Sequence, residues 1–504
     1  MSDQKREEPL DNAGQAAAPG LPGWDVLLLI LLTLAILMIG GFAESGLGGR
    51  FADVARHPLL GQLVPAAGVA AMGEIGPRPA EPLGLLLYAT TIALLILYAL
   101  VDLALRGRWQ WRLKWVLLAG VLLTALYLPT LKFMLLDAQG PRGSYSHDGG
   151  VLQTEATIAF FLQGKNPYRE DYTETPMATW GHPDFRTALY HYPYLPWTFL
   201  FSTPFYLIGN ALGFYDQRLV YLLLFAIALC LAPRLVHQPR HKVALVMLIG
   251  LNPLMALDIM FGQNDVFVFC WLFFALVAWH RWYSAASSAG PPPAAPDLGE
   301  PRGQIARLIA VVAFGAACAS KPTAWFFAPF FGLLLLADQE RFSLTGRGLL
   351  RQSMLLIRRG WPALLLFVLC IGPYLLWDPF AIYDDVWRWS NGQGETGYQI
   401  WGWGASNFVL ALGLVADRFG QWPFWRIEVL LALPTLLWFV GRQLRANTLA
   451  NACWHYGLFL LIFFYGSRFL NENYLAFILT FLALGIITAS TAGRTAGRNP
   501  RSHP

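Results

Sequence analysis

The chain has 504 residues, of which 56% are hydrophobic and only 13% charged, with a formal net charge of +5 and a mean hydropathy of +0.45. Soluble domains carry about 25% charged residues, so a string of soluble domains is excluded. Lys and Arg fall in short clusters between apolar runs, a pattern that sets membrane orientation and gives no footprint for DNA or RNA.

The apolar runs predict an all-α polytopic membrane protein, one bundle of twelve transmembrane helices, because only helices and closed barrels satisfy backbone groups in lipid. A cytoplasmic tail over residues 1–23 precedes the first run, residues 24–43, which reads as a retained anchor with cleavage after Ala43 as the alternative. The following spans are 84–105, 115–136, 217–236, 243–261, 264–283, 305–320, 323–338, 361–377, 424–441, 451–467 and 474–492. Residues 24–492 thus form one integral domain, closed by a second cytoplasmic tail over 493–504. Residues 194–213 and 407–415 are also apolar, but Pro196 and Pro204 break the first and the second is too short. Both are expected to be interfacial or re-entrant. Counting 194–213 as a span would also turn Arg234, Arg240 and Lys242 outward. The Pro/Ala-rich stretch 285–303 is an inner linker.

The twelve-span alternation puts the clusters around Arg106, Arg234, Arg302, Arg347 and Arg442 inside, and the acid-containing, proline-punctuated loops outside. The large outer loop, residues 137–216, holds the densest set of reactive groups. Its piece VLQTEATIAFFLQ puts Gln153, Thr154 and Thr157 on one side, as in a helix lying along the bilayer surface. All five cysteines sit inside apolar runs and the loop histidines lack ligand spacing, so neither a disulfide framework nor a structural metal is expected.

The order Asp148-Gly-Gly-Val-Leu, Gly164-Lys-Asn-Pro-Tyr168 and Tyr192-Pro-Tyr-Leu-Pro196 resembles the first outer loop of C-type (GT-C) integral-membrane glycosyltransferases, nearest the polyprenol-phosphate-mannose-dependent mannosyltransferases. Asn252-Pro253, Gly262-Gln-Asn-Asp265, Lys321-Pro322 and Arg468-Phe-Leu-Asn-Glu472-Asn-Tyr474 are similar to the later signatures of that family, with Asn471 standing where a His is common. The resemblance implies an inverting transfer of a hexose, mannose above others, from a polyprenyl-phosphate donor to a glycan, lipid or protein acceptor. The reaction would take place on the extracytoplasmic face of a plasma or inner membrane, with no required cofactor; whether a divalent cation takes part is left open.

On that reading Asp148 is the general base, with Glu155 as second candidate; an Asp before a helix also serves as an N-cap. Lys321, Arg468 and Arg218 are candidates for holding the donor phosphate, the alternative for such residues at helix ends being contact with lipid headgroups. Gln263, Asn264, Asp265, Tyr168, Tyr192 and Glu472 are candidates for binding sugar or acceptor. Two rivals remain: a transporter or flippase of lipid-linked saccharides, and a polymerase or ligase of lipid-linked glycans.

Overall fold

The computed structural model describes residues 22–47, 51–72, 81–146, 150–179, 183–288, 301–339, 342–343 and 345–492. The architecture is all-α, its only strands among those residues being a two-residue parallel pair, Trp401–Gly402 against Phe469–Leu470. Among the described residues, eight helices are long and apolar enough to cross a membrane: Pro82–Ala104, Gly107–Gln139, Arg218–Leu235, Asp265–Ser284, Gly346–Trp377, Phe424–Arg445, Leu449–Gly466 and Glu472–Ala489. The pair Pro239–Gly250 and Pro253–Phe261, bent by 46°, makes a ninth if it is one broken span. The protein is therefore an integral membrane protein.

Among the described residues the expected count of twelve is not confirmed. Of the other expected segments, residues 24–43 lie in the helix Trp24–Leu47, while Gly303–Cys318 and Pro322–Leu334 are shorter apolar stretches. The last opens as a 3-10 turn, Pro322–Phe327, before becoming α-helical. Its length of roughly 20 to 25 Å falls short of a core about 30 Å thick.

Local chemistry sets the breaks. Asn252 caps the helix Pro253–Phe261 by accepting from the Leu254 and Met255 amides. Gly262, at φ 84°, ends that helix in the left-handed conformation and turns the chain toward Gln263. A Cβ on Gly150 would lie 1.8 Å from the Gly262 carbonyl oxygen, so these two backbones touch.

The main core fills the bundle, and a second, aromatic cluster of Tyr168, Tyr172, Tyr192, Phe199 and Tyr374 lies under the large loop. At one end, Lys114 is fully buried between Asp25 (2.6 Å) and Asp102 (2.5 Å), and Arg240 joins Asp25 at 2.9 Å. This ties the first helix to the basic end of the bundle. At the other end the polar loops meet one another. The Leu195 amide donates to the Ser320 carbonyl at 2.9 Å, Arg169 pairs with Asp378 at 2.6 Å, and His191 reaches Asp385 at 2.8 Å.

The helix Leu152–Leu162 departs from expectation, because its polar side faces the protein. Gln153, Thr154 and Thr157 are all buried. Gln153 donates to the Ala188 and His191 carbonyls and Thr157 meets the Tyr172 hydroxyl at 2.8 Å. Irregular backbone packed away from water needs such donors. Residues 194–213 contain one 15-residue helix, Trp197–Ala211, with Pro204 inside it.

Candidate functional site

A cavity of about 380 Å³ opens among the loops at this end. Its walls come from the 263–265 turn, the 321–323 step, the 386–391 and 398–401 segments, the first turn of Phe424–Arg445, and residues 463–474. Of the residues singled out in the sequence, Gln263, Asn264, Asp265, Lys321, Arg468 and Glu472 line it.

Lys321 and Asp265 form one wall. The ammonium lies 2.8 Å from Asp265 Oδ1 and stacks over the rings of Tyr474 (4.9 Å) and Tyr194 (5.6 Å). Asp265 Oδ2 accepts from Asn473 at 2.5 Å. Both Asp265 oxygens are thus engaged, and the Lys321 charge is largely balanced at home.

Arg468 differs. It is buried, and its donors go to three carbonyls: Tyr398 at 2.6 Å, Gly420 at 3.1 Å and Arg418 at 3.2 Å. Gly392, at φ 69°, approaches it so closely that a Cβ there would lie 2.2 Å from Cζ. No carboxylate among the described residues pairs with it, and burial lowers its pKa to about 10, still charged at neutral pH. Five guanidinium hydrogens less three leaves two donors.

Four buried polar atoms on the lining residues have no partner: Gln263 Oε1, Thr323 Oγ1, Trp389 Nε1 and Asn471 Oδ1. Such atoms are costly inside a protein and a polar ligand would satisfy them. Trp387, Trp401 and Trp425 add ring faces, and Glu472 and Glu428 add carboxylates. Glu428 was invisible as a site residue because it sits inside an apolar run; a lone acid in such a run was the available signal.

The cavity-lining segments Pro193–Tyr194 and Val386–Asn391 are joined by a second group. Asp385 accepts from His191 Nδ1 at 2.8 Å and from the Tyr192 amide at 2.9 Å, while His191 Nε2 meets Thr396 Oγ1 at 2.7 Å. Burial pushes the Asp385 carboxyl up to about 6. His191, Asp384 and Asp385 are the described residues whose ligand atoms come close enough to hold a metal ion, a grouping that histidine spacing could not reveal.

The remaining candidates lie elsewhere. Tyr168 and Tyr192 belong to the aromatic core, Tyr168 reaching the cavity wall through a 2.9 Å bond to the Tyr194 carbonyl. Arg218 is not among the residues that line the cavity. It is fully buried, forked onto Asp216 (2.9 and 2.7 Å), near Asp137 at 3.4 Å, and bonded to the Tyr145 (2.8 Å) and Met260 (3.0 Å) carbonyls. Replacing Arg218 with Met should cost about 3–5 kcal/mol by taking the buried guanidinium away from Asp216 and Asp137. Thermal unfolding of the purified protein checks this, and Asp216→Asn added to the variant should restore part of the loss.

Glu155 lies beside that network, paired with Arg142 and accepting from the Gln217 amide at 2.9 Å. Burial raises its pKa from 4.5 to about 7. The folded protein therefore holds this proton more tightly than the unfolded chain, so Glu155 contributes stability below pH 4.5 that is lost as pH rises through about 7. Glu155→Gln should flatten the fall in melting temperature across that window, and an unchanged slope would remove Glu155 as its source.

Asp148 falls outside the described residues, as do its neighbours His147 and Gly149. No protein family, curated protein or solved structure matches the chain.

Proposed function

We propose that the protein is a membrane glycosyltransferase with a GT-C-like bundle, moving a hexose, mannose by resemblance, from a polyprenyl-phosphate donor to an acceptor on the extracytoplasmic face. The observation that carries this reading is Arg468: a buried cation, unpaired with any described carboxylate, on the wall of a cavity that also holds unsatisfied polar atoms and tryptophan rings. A phosphate would complete the charge and sugar hydroxyls would satisfy the polar atoms.

In the reaction the acceptor oxygen attacks the anomeric carbon and the bond from that carbon to the phosphate oxygen breaks. The electron pair leaves on the phosphate, facing Arg468 with Lys321 near by, and the acceptor proton passes to Asp148. Attack opposite the leaving group inverts the sugar. Gln263, Asn264 and Glu472 orient sugar or acceptor, while Asp265 serves by holding Lys321.

Membranes containing the full-length protein, given labelled polyprenyl-phosphate hexoses, should move label into a glycan, lipid or protein fraction. Absence of transfer from every such donor, with folded protein present, overturns the reading. Labelling of a Glu395→Cys thiol by an impermeant reagent added outside tests the face.

A further inference from the structure

The helix Gly346–Trp377 is longer than a membrane needs. Its 32 residues span about 48 Å, against a hydrocarbon core about 30 Å thick. Trp361 and Trp377, both exposed, stand about 24 Å apart along its axis, a spacing that suits two aromatic belts. The helix ends at Asp378, which pairs with Arg169 among the loops around the cavity. Residues 346–360 therefore run on beyond Trp361 at the opposite, basic end of the bundle.

This extension is tied to the protein on one side only. There Gln352 is buried, and Arg359 is buried and forked onto Asp338 with two bonds of 2.7 Å. The other side carries Arg347, Arg351 and Arg358, all exposed. At about 100° per residue the three fall within about 40° of one another, a stripe running along about 16 Å of helix. Leu350, Met354 and Ile357, also exposed, form an apolar arc beside it. No Asp or Glu occurs in residues 341–377. Like charges one turn apart repel, so the stripe costs stability until anions stand over it. A guanidinium accepts phosphate or carboxylate alike, and the apolar arc selects between them: the anion that fits is a phosphate carried on acyl chains.

We infer that Arg347, Arg351 and Arg358 form a binding site for anionic phospholipid in the leaflet at the basic end of the bundle. Their guanidiniums hold headgroup phosphates while Leu350, Met354 and Ile357 meet the acyl chains. Basic residues orient a membrane protein wherever they sit in a short loop. This stripe adds a fixed spacing on one rigid helix and an apolar flank, and it stands whether or not the cavity transfers a sugar.

The test compares the full-length protein in phosphatidylcholine vesicles and in equimolar phosphatidylcholine/phosphatidylglycerol vesicles. Phosphatidylglycerol should raise the melting temperature of wild type by roughly 3 °C or more at low salt, and by less at high salt. Arg347→Gln/Arg351→Gln/Arg358→Gln should lose most of that gain while melting as wild type does in phosphatidylcholine. Arg108→Gln/Arg112→Gln/Arg234→Gln removes the same charge from exposed positions at the same end and should keep the gain. An equal gain in wild type and the stripe variant overturns the site. So does an equal loss in the second triple variant, which makes the effect one of net charge. If the stripe variant falls by the same amount in both lipids, the arginines serve a protein surface and the lipid site is overturned. Should the triple variant fail to fold, Arg351→Gln alone decides, and an unchanged gain overturns the site.

Discussion

Asp148→Asn should lower kcat about 10²- to 10⁴-fold, the range a positioned general base contributes, while the protein still folds and inserts. Asn keeps the side-chain volume and removes the group that would take the proton in the proposed reaction. The described residues on either side of Asp148 are held in place. The Tyr145 carbonyl is held by Arg218, and the Gly150 carbonyl accepts from the Tyr221 hydroxyl at 2.5 Å. Arg218 and Tyr221 stand one turn apart at the start of a single helix, so one rigid element fixes both ends. Gly150 also abuts Gly262, whose next residues Gln263, Asn264 and Asp265 line the cavity. Glu155→Gln is the control, since that carboxyl is engaged with Arg142 and the Gln217 amide away from the cavity. Equal transfer by wild type and Asp148→Asn removes Asp148 as base, and loss in Glu155→Gln alone would move the base to Glu155.

Hydropathy made the helices legible, since lipid leaves the chain few options, and Lys/Arg alternation grouped the polar loops. Those loops do meet at one end of the bundle: Lys321 reaches Asp265 across 56 positions. What hydropathy could not give was how each charge is spent. Arg218 looked like a cation at an outer helix end, yet Asp216 two residues earlier already pointed to a local fork, and the buried Asp137 was hidden at the end of another helix. His191 and Asp385 lie 194 positions apart, beyond the reach of any spacing argument. The polar side of Leu152–Leu162 read as a surface because periodicity reports that a face is polar, without saying whether water or backbone carbonyls will satisfy it. The bounds of the short pair 305–320 and 323–338 are hard to read from composition, because a 3-10 start such as Pro322–Phe327 is as apolar as a crossing helix.

Arg468→Gln should lower kcat/KM about 10²- to 10³-fold, the usual loss when a charge-stabilising donor is removed from a reacting centre. Two functions of the residue separate cleanly. Its bonds to the Tyr398, Arg418 and Gly420 carbonyls hold the 398–420 segment, and losing some of them should cost about 1–3 kcal/mol of stability. Its charge, unmatched by any described acid, is what a phosphate would need. Arg468→Lys keeps the charge but has three donors on a point ammonium, so it should fall between wild type and Gln in kcat/KM. Free polyprenyl phosphate, the donor's leaving group, should raise the melting temperature of wild type and leave Arg468→Gln unmoved. If it stabilises both equally, Arg468 is a structural clamp for the 398–420 segment and the phosphate is held elsewhere. Lys321 is then the next residue to test, although its pairing with Asp265 predicts a smaller loss, because a cation already matched by a carboxylate has less field to offer a departing phosphate.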